Sequence, residues 1–312
     1  MGKIAFLFPG QASQYPGMGK DVFDRFPASA EVFKRADAAL GFSLSGLCFG
    51  GTEEELKLTE NTQPAILTVS VAVLQAVAAK GIVPDFVAGH SLGEYSALVA
   101  AGSLSFEDAV RTVRNRGRYM QEAVPVGMGA MAAVMGADLA LVASLCDEVR
   151  GDQVLSAANI NCPGQIVIAG HREAVERAVE AAPGKGAGKV VLLPVSAPFH
   201  CALMQPAADR LAADLKALAF ADLRVPLVNN VDGRVIRGAE EARDGLVRQV
   251  VGSVLWQKTI ELLMAEGVET FVEIGPRNVL AGMVKKINRR AAVYPVEKLD
   301  EVEELAAKIQ GA

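Results

Sequence analysis

The sequence has only three histidines and one tryptophan, and its four cysteines (Cys48, Cys146, Cys162 and Cys201) show no C-x-x-C spacing. This scarcity leaves no metal-binding constellation and no disulfide framework, so free thiols in a reducing compartment are expected. No basic excess is present. Lys and Arg total 31 against 36 Asp and Glu, a net charge of −5, which argues against a nucleic-acid partner. The opening MGKIAFLFPGQ lacks a signal peptide's apolar stretch and cleavage site. No uninterrupted apolar run reaches the roughly 18 residues that span a bilayer. A cytoplasmic protein with no membrane segment and no cofactor is expected. About half of the 312 residues are hydrophobic, enough for one large domain or two small ones with an apolar core.

Short β-like runs alternate with amphipathic helical runs, which predicts an α/β class. Ile4 to Phe8 reads as a strand stopped by Pro9-Gly10, and Asp21 to Leu40 as a helix. A longer helix is expected from about Thr62-Gln63-Pro64, with Pro64 in its first turn and Gly81 as its stop. Ser105 and Asp108 resemble a capping box for a helix running to about Val124. The pattern changes at Pro125-Val126-Gly127. Strands at 130–135, 154–158, 165–169 and 189–193 with helices at 138–149 and 172–181 give the order β-α-β-β-α-β, a ferredoxin-like unit. The reading is therefore a module at 125–200 inserted into a larger domain made of 1–124 and 201–312.

Gly89-His90-Ser91-Leu92-Gly93 fits G-x-S-x-G, set between a predicted strand (86–89) and a helix. That context exposes a serine on a sharp turn. The following helix aims its free N–H groups at the reacting carbonyl, and the Leu92 N–H is a natural oxyanion donor. Serine needs a base to attack an ester or thioester. His90 adjoins the serine and reads as a packed turn residue. His171 opens a polar helix and reads as a surface residue. His200, in the irregular segment Ser196-Ala197-Pro198-Phe199-His200, is left as the partner for Ser91. No acid stands out as a third member, so a Ser–His dyad is expected.

On the helix that follows, Arg111, Arg114 and Arg118 fall among polar residues. Arg116 instead lies on the stripe Ala109, Val113, Arg116, Met120, with Gly117 beside it allowing close approach. A buried guanidinium needs an anionic partner. Two partners are equally open: an internal Asp or Glu, or a substrate carboxylate such as that of a malonyl thioester.

Together these residues resemble the malonyl-CoA:acyl carrier protein transacylase family of bacterial fatty-acid synthesis. The resemblance covers nearly the whole chain. It is carried by FPGQASQYPGMG at 8–19, NTQPAILT at 61–68, GHSLGEYSALVAAG at 89–102 and RGRYMQEAVP at 116–125. NINCPGQIVIAG at 159–170, SAPFHCALM at 196–204, LVRQ at 246–249 and EIGPRNVL at 273–280 complete it. It implies an α/β-hydrolase-like large domain with an inserted ferredoxin-like small domain and the site between them. It further implies malonyl-CoA and acyl carrier protein as partners and a malonyl-serine ester formed by ping-pong catalysis. By position, Ser91 is acylated, His200 is base and acid, Gln11 and Leu92 supply the oxyanion N–H groups, and Arg116 holds the malonyl carboxylate. The backbone near Gln249 orients His200. Gln11 and Gln249 have no assignment apart from the resemblance. A monomer is expected.

The chain departs from many relatives at Ala12, where glycine is common, and at Cys162, where serine is common. Phe199 before the histidine resembles malonyl-selective relatives. Acyl carrier proteins of this family are acidic, so Lys285, Lys286, Arg289 and Arg290, or Lys185 and Lys189, are candidate docking patches. A serine hydrolase shares the turn and base but has no use for Arg116 on an apolar stripe. A binding module without chemistry has no use for the serine–histidine pair.

Overall fold

The structure, a computed structural model, describes residues 2–195 and 197–311. Its strands are β1 (Lys3–Phe8), β2 (Phe86–Gly89), β3 (Gly129–Met135), β4 (Leu155–Cys162), β5 (Gln165–His171), β6 (Val190–Leu192), β7 (Leu227–Val228), β8 (Val235–Ile236), β9 (Val268–Ile274) and β10 (Ala292–Val296). They form two sheets. The first has the order β10-β9-β1-β2-β7-β8 and the second β4-β5-β3-β6.

The larger sheet is parallel except for the β7–β8 pair. Parallel strands covered by helices on both faces read as continuous apolar runs. β1 does so: five of its six residues are buried, with Phe6 and Phe8 facing one core and Ala5 and Leu7 the other. In such sheets the crevice beyond the carboxyl ends of the strands is where ligands bind. The loops leaving β1, β2 and β7 at that edge carry Gln11, Ser91 and Asn230.

The four-stranded sheet lies within 129–192, is antiparallel throughout, and keeps the expected β-α-β-β-α-β order. Val142, Leu145, Val175 and Ala178 of its two helices pack with Ile166 and Ile168 in a core of its own. Backbone bonds from Ile160 N to Val254 O and from Val254 N to Ala158 O, both 2.9 Å, tie β4 to the larger unit.

Two helix readings need correction. The expected helix over 21–40 is two helices, Lys20–Arg25 and Pro27–Leu40. Phe26 is extended (φ −132°), because a residue before proline is disfavoured in the α region, and Pro27 then starts the second helix. The long helix starts at Thr59, so Pro64 lies past the first turn, where it removes the hydrogen bond to the Glu60 carbonyl. This helix, Thr59–Ala79, is also long and apolar enough to cross a membrane by length and composition, although polar residues interrupt its apolar run. It is a core helix: residues 64–73 are buried without a break.

Candidate functional site

Ser91 occupies the turn between β2 and the helix Gly93–Ala100, at φ 52°. The left-handed conformation is unfavourable for serine, so the surroundings must hold it. A Cβ at residue 89 would lie 1.9 Å from the Gly93 carbonyl oxygen, and one at residue 93 would lie 2.0 Å from the Phe8 oxygen. Only glycine at both places lets the turn close against β1. Asn230 pins the turn from the β7 side. Its Oδ1 accepts from Ser91 N at 2.6 Å, and its Nδ2 donates to Gly89 O at 2.7 Å.

His200 also has a positive φ, 60°, and is 4% exposed. Its Nε2 is 2.7 Å from Ser91 Oγ and its Nδ1 is 2.8 Å from the Gln249 carbonyl oxygen. A carbonyl oxygen can only accept, so Nδ1 carries the proton and Nε2 turns its lone pair to the serine hydroxyl. No carboxylate takes part. Burial, and then the nearby Arg116 charge, lower the imidazole pKa to about 3. The ring is therefore neutral at physiological pH, the state in which it takes a proton.

Arg116, in the helix Phe106–Glu122, is 1% exposed. Its Nη1 donates to Gln63 Oε1 (2.8 Å), and its Nη2 donates to Ser91 Oγ (3.1 Å) and Gln249 Oε1 (3.0 Å). Its Nε has no partner among the described residues. Each of these partners is neutral, and burial lowers the guanidinium pKa. Glu94 is near enough to act on it electrostatically, but among the described residues no Asp or Glu forms an ion pair with it. An unpaired buried charge costs several kcal/mol. Gly117 lets this helix close on the long helix: a Cβ there would lie 2.5 Å from the Thr59 carbonyl oxygen.

Ser91, His200, Arg116 and Gln249, far apart in the sequence, thus converge on one buried cluster. Leu92 N and Gln11 N flank it on the loops after β2 and β1, and neither donates to a backbone acceptor among the described residues. The Gln11 side chain also reaches the cluster, its Oε1 3.3 Å from Gln63 Nε2. Ala12, the next residue, has φ 81° and is exposed, with its N–H on Gln14 Oε1 at 2.9 Å. Two cavities of about 440 and 590 Å³ open elsewhere. Neither is lined by Ser91, His200 or Arg116, so polar convergence marks this site rather than volume.

The other two histidines have ordinary roles. His90 packs edge-on against Trp256 and its Nε2 is 2.9 Å from Asn161 Oδ1. His171 stands at the N-cap position of a helix without a side-chain bond to it, and its Nδ1 accepts from Val154 N. Ser196, part of the quoted 196–204 motif, lies outside the described residues. All four cysteines are free and buried. Of the basic runs, Lys185 is paired with Glu148, while Lys286 reaches across to Gln165 Oε1 of the small sheet.

Sequence reasoning missed Gln63, Glu94 and Asn230, each 1% exposed or less. For Gln63 a signal existed: an amide among buried apolar residues of a core helix needs a polar partner. Glu94 and Asn230 gave none, because their partners come from distant strands.

The acyl transferase domain family matches residues 5–304. The chain is 50% identical over 304 residues to the malonyl CoA-acyl carrier protein transacylase of Bacillus subtilis, covering 97% of this chain and 96% of that one. It is 51% identical over 288 residues to the Escherichia coli K12 protein of the same name, covering 92% and 93%. Among solved structures, the Coxiella burnetii transacylase superposes with a TM-score of 0.96 at 43% identity, covering 98% and 97%. A malonyl-transacylase solved with its type II PKS acyl-carrier protein superposes with a TM-score of 0.96 at 44% identity, covering 98% and 99%. On a family match over nearly the whole chain and identities of about half to these relatives, the chain belongs to the malonyl CoA-acyl carrier protein transacylases of the acyl transferase family.

Proposed function

We infer that this chain transfers a malonyl group from malonyl-CoA to the phosphopantetheine thiol of acyl carrier protein, supplying fatty-acid synthesis. The observation that carries the reading is Arg116: a buried guanidinium without a carboxylate of its own, 3.1 Å from the Ser91 hydroxyl. The substrate carboxylate supplies the missing charge, and planar bidentate pairing fixes the acyl group beside the nucleophile.

His200 Nε2 takes the Ser91 proton as Oγ attacks the thioester carbon. The tetrahedral oxyanion rests on the N–H groups of Gln11 and Leu92. The C–S bond breaks, and the CoA sulfur leaves with the proton from Nε2. The malonyl-serine ester then meets the carrier-protein thiol, which gives its proton to Nε2 and attacks the ester; the Ser91 oxygen takes that proton back as it leaves. The Gln249 carbonyl holds the Nδ1–H through both halves, which is the task an acid performs in a triad. This is ping-pong chemistry.

The architecture fits an α/β-hydrolase-like large domain of 1–124 and 201–312 with a ferredoxin-like insert at 125–200. In support, all four strands of the small sheet fall between 129 and 192. A cytoplasmic monomer is the form proposed, consistent with four unpaired thiols.

Intact mass after incubation with malonyl-CoA tests the reading. Wild type gains one malonyl group on Ser91, and Ser91→Ala gains none. A hydrolase acting through the same serine and histidine would release CoA rapidly without acceptor; the unpaired Arg116 favours the transferase. Arg116→Ala is expected to lose malonyl transfer and to accept acetyl better, and equal loss of both would remove the carboxylate clamp.

A further inference from the structure

Glu94 has no part in the proton path above, yet it is 1% exposed and lies against the centre of the site. One of its oxygens, Oε2, accepts two hydrogen bonds of 2.9 Å, from the Gln249 side-chain amide and from the Asn230 backbone N–H. Its other oxygen has no partner among the described residues. Both donors belong to residues that hold catalytic groups. Gln249 accepts Arg116 Nη2 on its side-chain oxygen and His200 Nδ1 on its backbone oxygen. Asn230 clamps Ser91 N and Gly89 O.

An isolated glutamine amide can sit either way round, since its oxygen and nitrogen ends have the same shape. Glu94 removes that freedom together with Arg116, which donates to the Gln249 oxygen, and the Ser91 carbonyl, which accepts from its nitrogen. Burial pushes the Glu94 carboxyl up to about 7, but Oε2 accepts whether or not the other oxygen carries a proton, so the NH2 end of Gln249 faces it and the oxygen end faces Arg116. The amide also donates to the Ser91 carbonyl at 3.1 Å. The sequence guanidinium–amide–carboxylate orders charge and dipole head to tail. It places the nearest counter-charge one amide away from Arg116 instead of in contact with it. The guanidinium is thereby stabilised while its remaining donors stay open to an incoming carboxylate.

We propose that Glu94 is a positioning residue that fixes the flip state of Gln249, and through it the Arg116 guanidinium, while bracing the Asn230 clamp on the Ser91 turn. The proposal rests on the malonyl-transfer reading and extends it to malonyl selectivity. A direct Glu94–Arg116 ion pair would neutralise the arginine and compete with substrate. The interposed amide avoids this.

Glu94→Gln keeps the shape and removes the charge. The new amide's oxygen can keep both hydrogen bonds, but only as a neutral acceptor, which weakens the hold on the Gln249 NH2 and on Asn230; the opposite rotamer would set its NH2 against the Asn230 N–H. Two readouts are taken by mass spectrometry on folded protein: the ratio of Ser91 acylation rates by malonyl-CoA and acetyl-CoA, and the rate of labelling by a small uncharged fluorophosphonate. The first follows Arg116 and the second follows the Ser91 turn. The malonyl-to-acetyl ratio is expected to fall about tenfold or more and fluorophosphonate labelling severalfold, the size of losing a hydrogen bond to a charged acceptor. A lowered Tm with both readouts at wild-type values overturns the proposal and leaves Glu94 a structural residue. Gln249→Leu keeps the backbone acceptor for His200 and removes the amide. Adding Glu94→Gln to it should leave the ratio where Gln249→Leu alone puts it, and a second full drop would refute the route through Gln249. If Glu94→Gln does not fold, Glu94→Asp, with the charge drawn back by one methylene, takes its place with the same expectations. A wild-type protein without a malonyl-Ser91 adduct sinks the transfer reading itself. A wild-type adduct with an unaltered variant ratio sinks only this inference.

Discussion

The serine turn at 89–93 and the loop at 10–13 both place a residue with a side chain in the left-handed region, Ser91 at φ 52° and Ala12 at φ 81°. Their surroundings differ. Ser91 is gripped by two glycine contacts and both polar atoms of the Asn230 amide, at the buried end of three strands. Ala12 is exposed; its N–H bonds a neighbouring side chain, and Ser13 Oγ closes the loop on the Gly10 carbonyl at 2.7 Å. The same backbone cost is thus restrained by three separate strands of the sheet edge in one place and only by bonds within the loop in the other. Strain that aims a nucleophile is worth restraining from several sides. At Ala12 the unfavourable conformation serves only to carry the chain past the Gln11 amide, and the β-carbon adds cost without a contact that uses it.

Three substitutions sharpen this contrast. Asn230→Leu cuts the clamp on both sides of Ser91 and should slow serine acylation about 100-fold, the size expected when a reacting group is misplaced by about 1 Å. A rate within threefold of wild type, measured by single-turnover mass spectrometry, would show that the glycines alone hold the turn. With a small uncharged probe in place of malonyl-CoA, Arg116→Ala has a smaller effect, read in pH rather than in rate. With the His200 pKa at about 3, the imidazole adds no change to fluorophosphonate labelling of wild type as the pH falls from 7 to 5; burial pushes the Glu94 carboxyl up to about 7, so a severalfold fall in that window is the part that belongs to Glu94. The sign is as follows: Arg116 disfavours the imidazolium, so removing it raises the pKa and moves the acid limb up towards the ordinary value near 6.5. An unmoved limb would assign the whole depression to burial. The smallest effect belongs to Ala12→Gly, which should stabilise the protein by about 1 kcal/mol in urea denaturation. Acylation should change by less than about twofold if the Gln11 N–H keeps its place without the Ala12 β-carbon; a large loss of rate would erase the distinction between the two turns.

The sequence showed the serine turn because its signals are local: two glycines, a strand before and a helix after. Arg116 was legible because helical spacing put a charge on an apolar stripe, but its partner was not, since spacing says nothing about which side chains from other helices arrive there. Among the described residues no ion pair to Arg116 is formed, which speaks against the internal partner; the substrate carboxylate is the reading proposed above. His200 came by elimination among three histidines, and the acceptor for its Nδ1 from resemblance alone, as a main-chain carbonyl has no signature in the sequence. Gln63, Glu94 and Asn230 show the same limit from the other side. They are polar residues whose hydrogen bonds close over long sequence separations, and Glu94 sits inside the quoted 89–102 motif without any local sign of its bonds to residues 230 and 249. The broken helix at Phe26-Pro27 was within reach, because the residue before proline resists the α conformation whatever the tertiary context.

The four buried thiols acquire a meaning beside this chemistry. On the route proposed above, a malonyl ester waiting for an incoming thiol is open to theft by any cysteine of the same chain, and Cys201 directly follows His200. Burial pushes that thiol up to about 11 and those of Cys48 and Cys146 up to about 12. Cys201 also commits its S–H to the Pro198 carbonyl, at 3.1 Å. Thiolate, not thiol, is the attacking species. Burial raises Cys162 as well, so thiolate is disfavoured at all four, and on the proposed route the acyl group is left for the thiol of its acceptor.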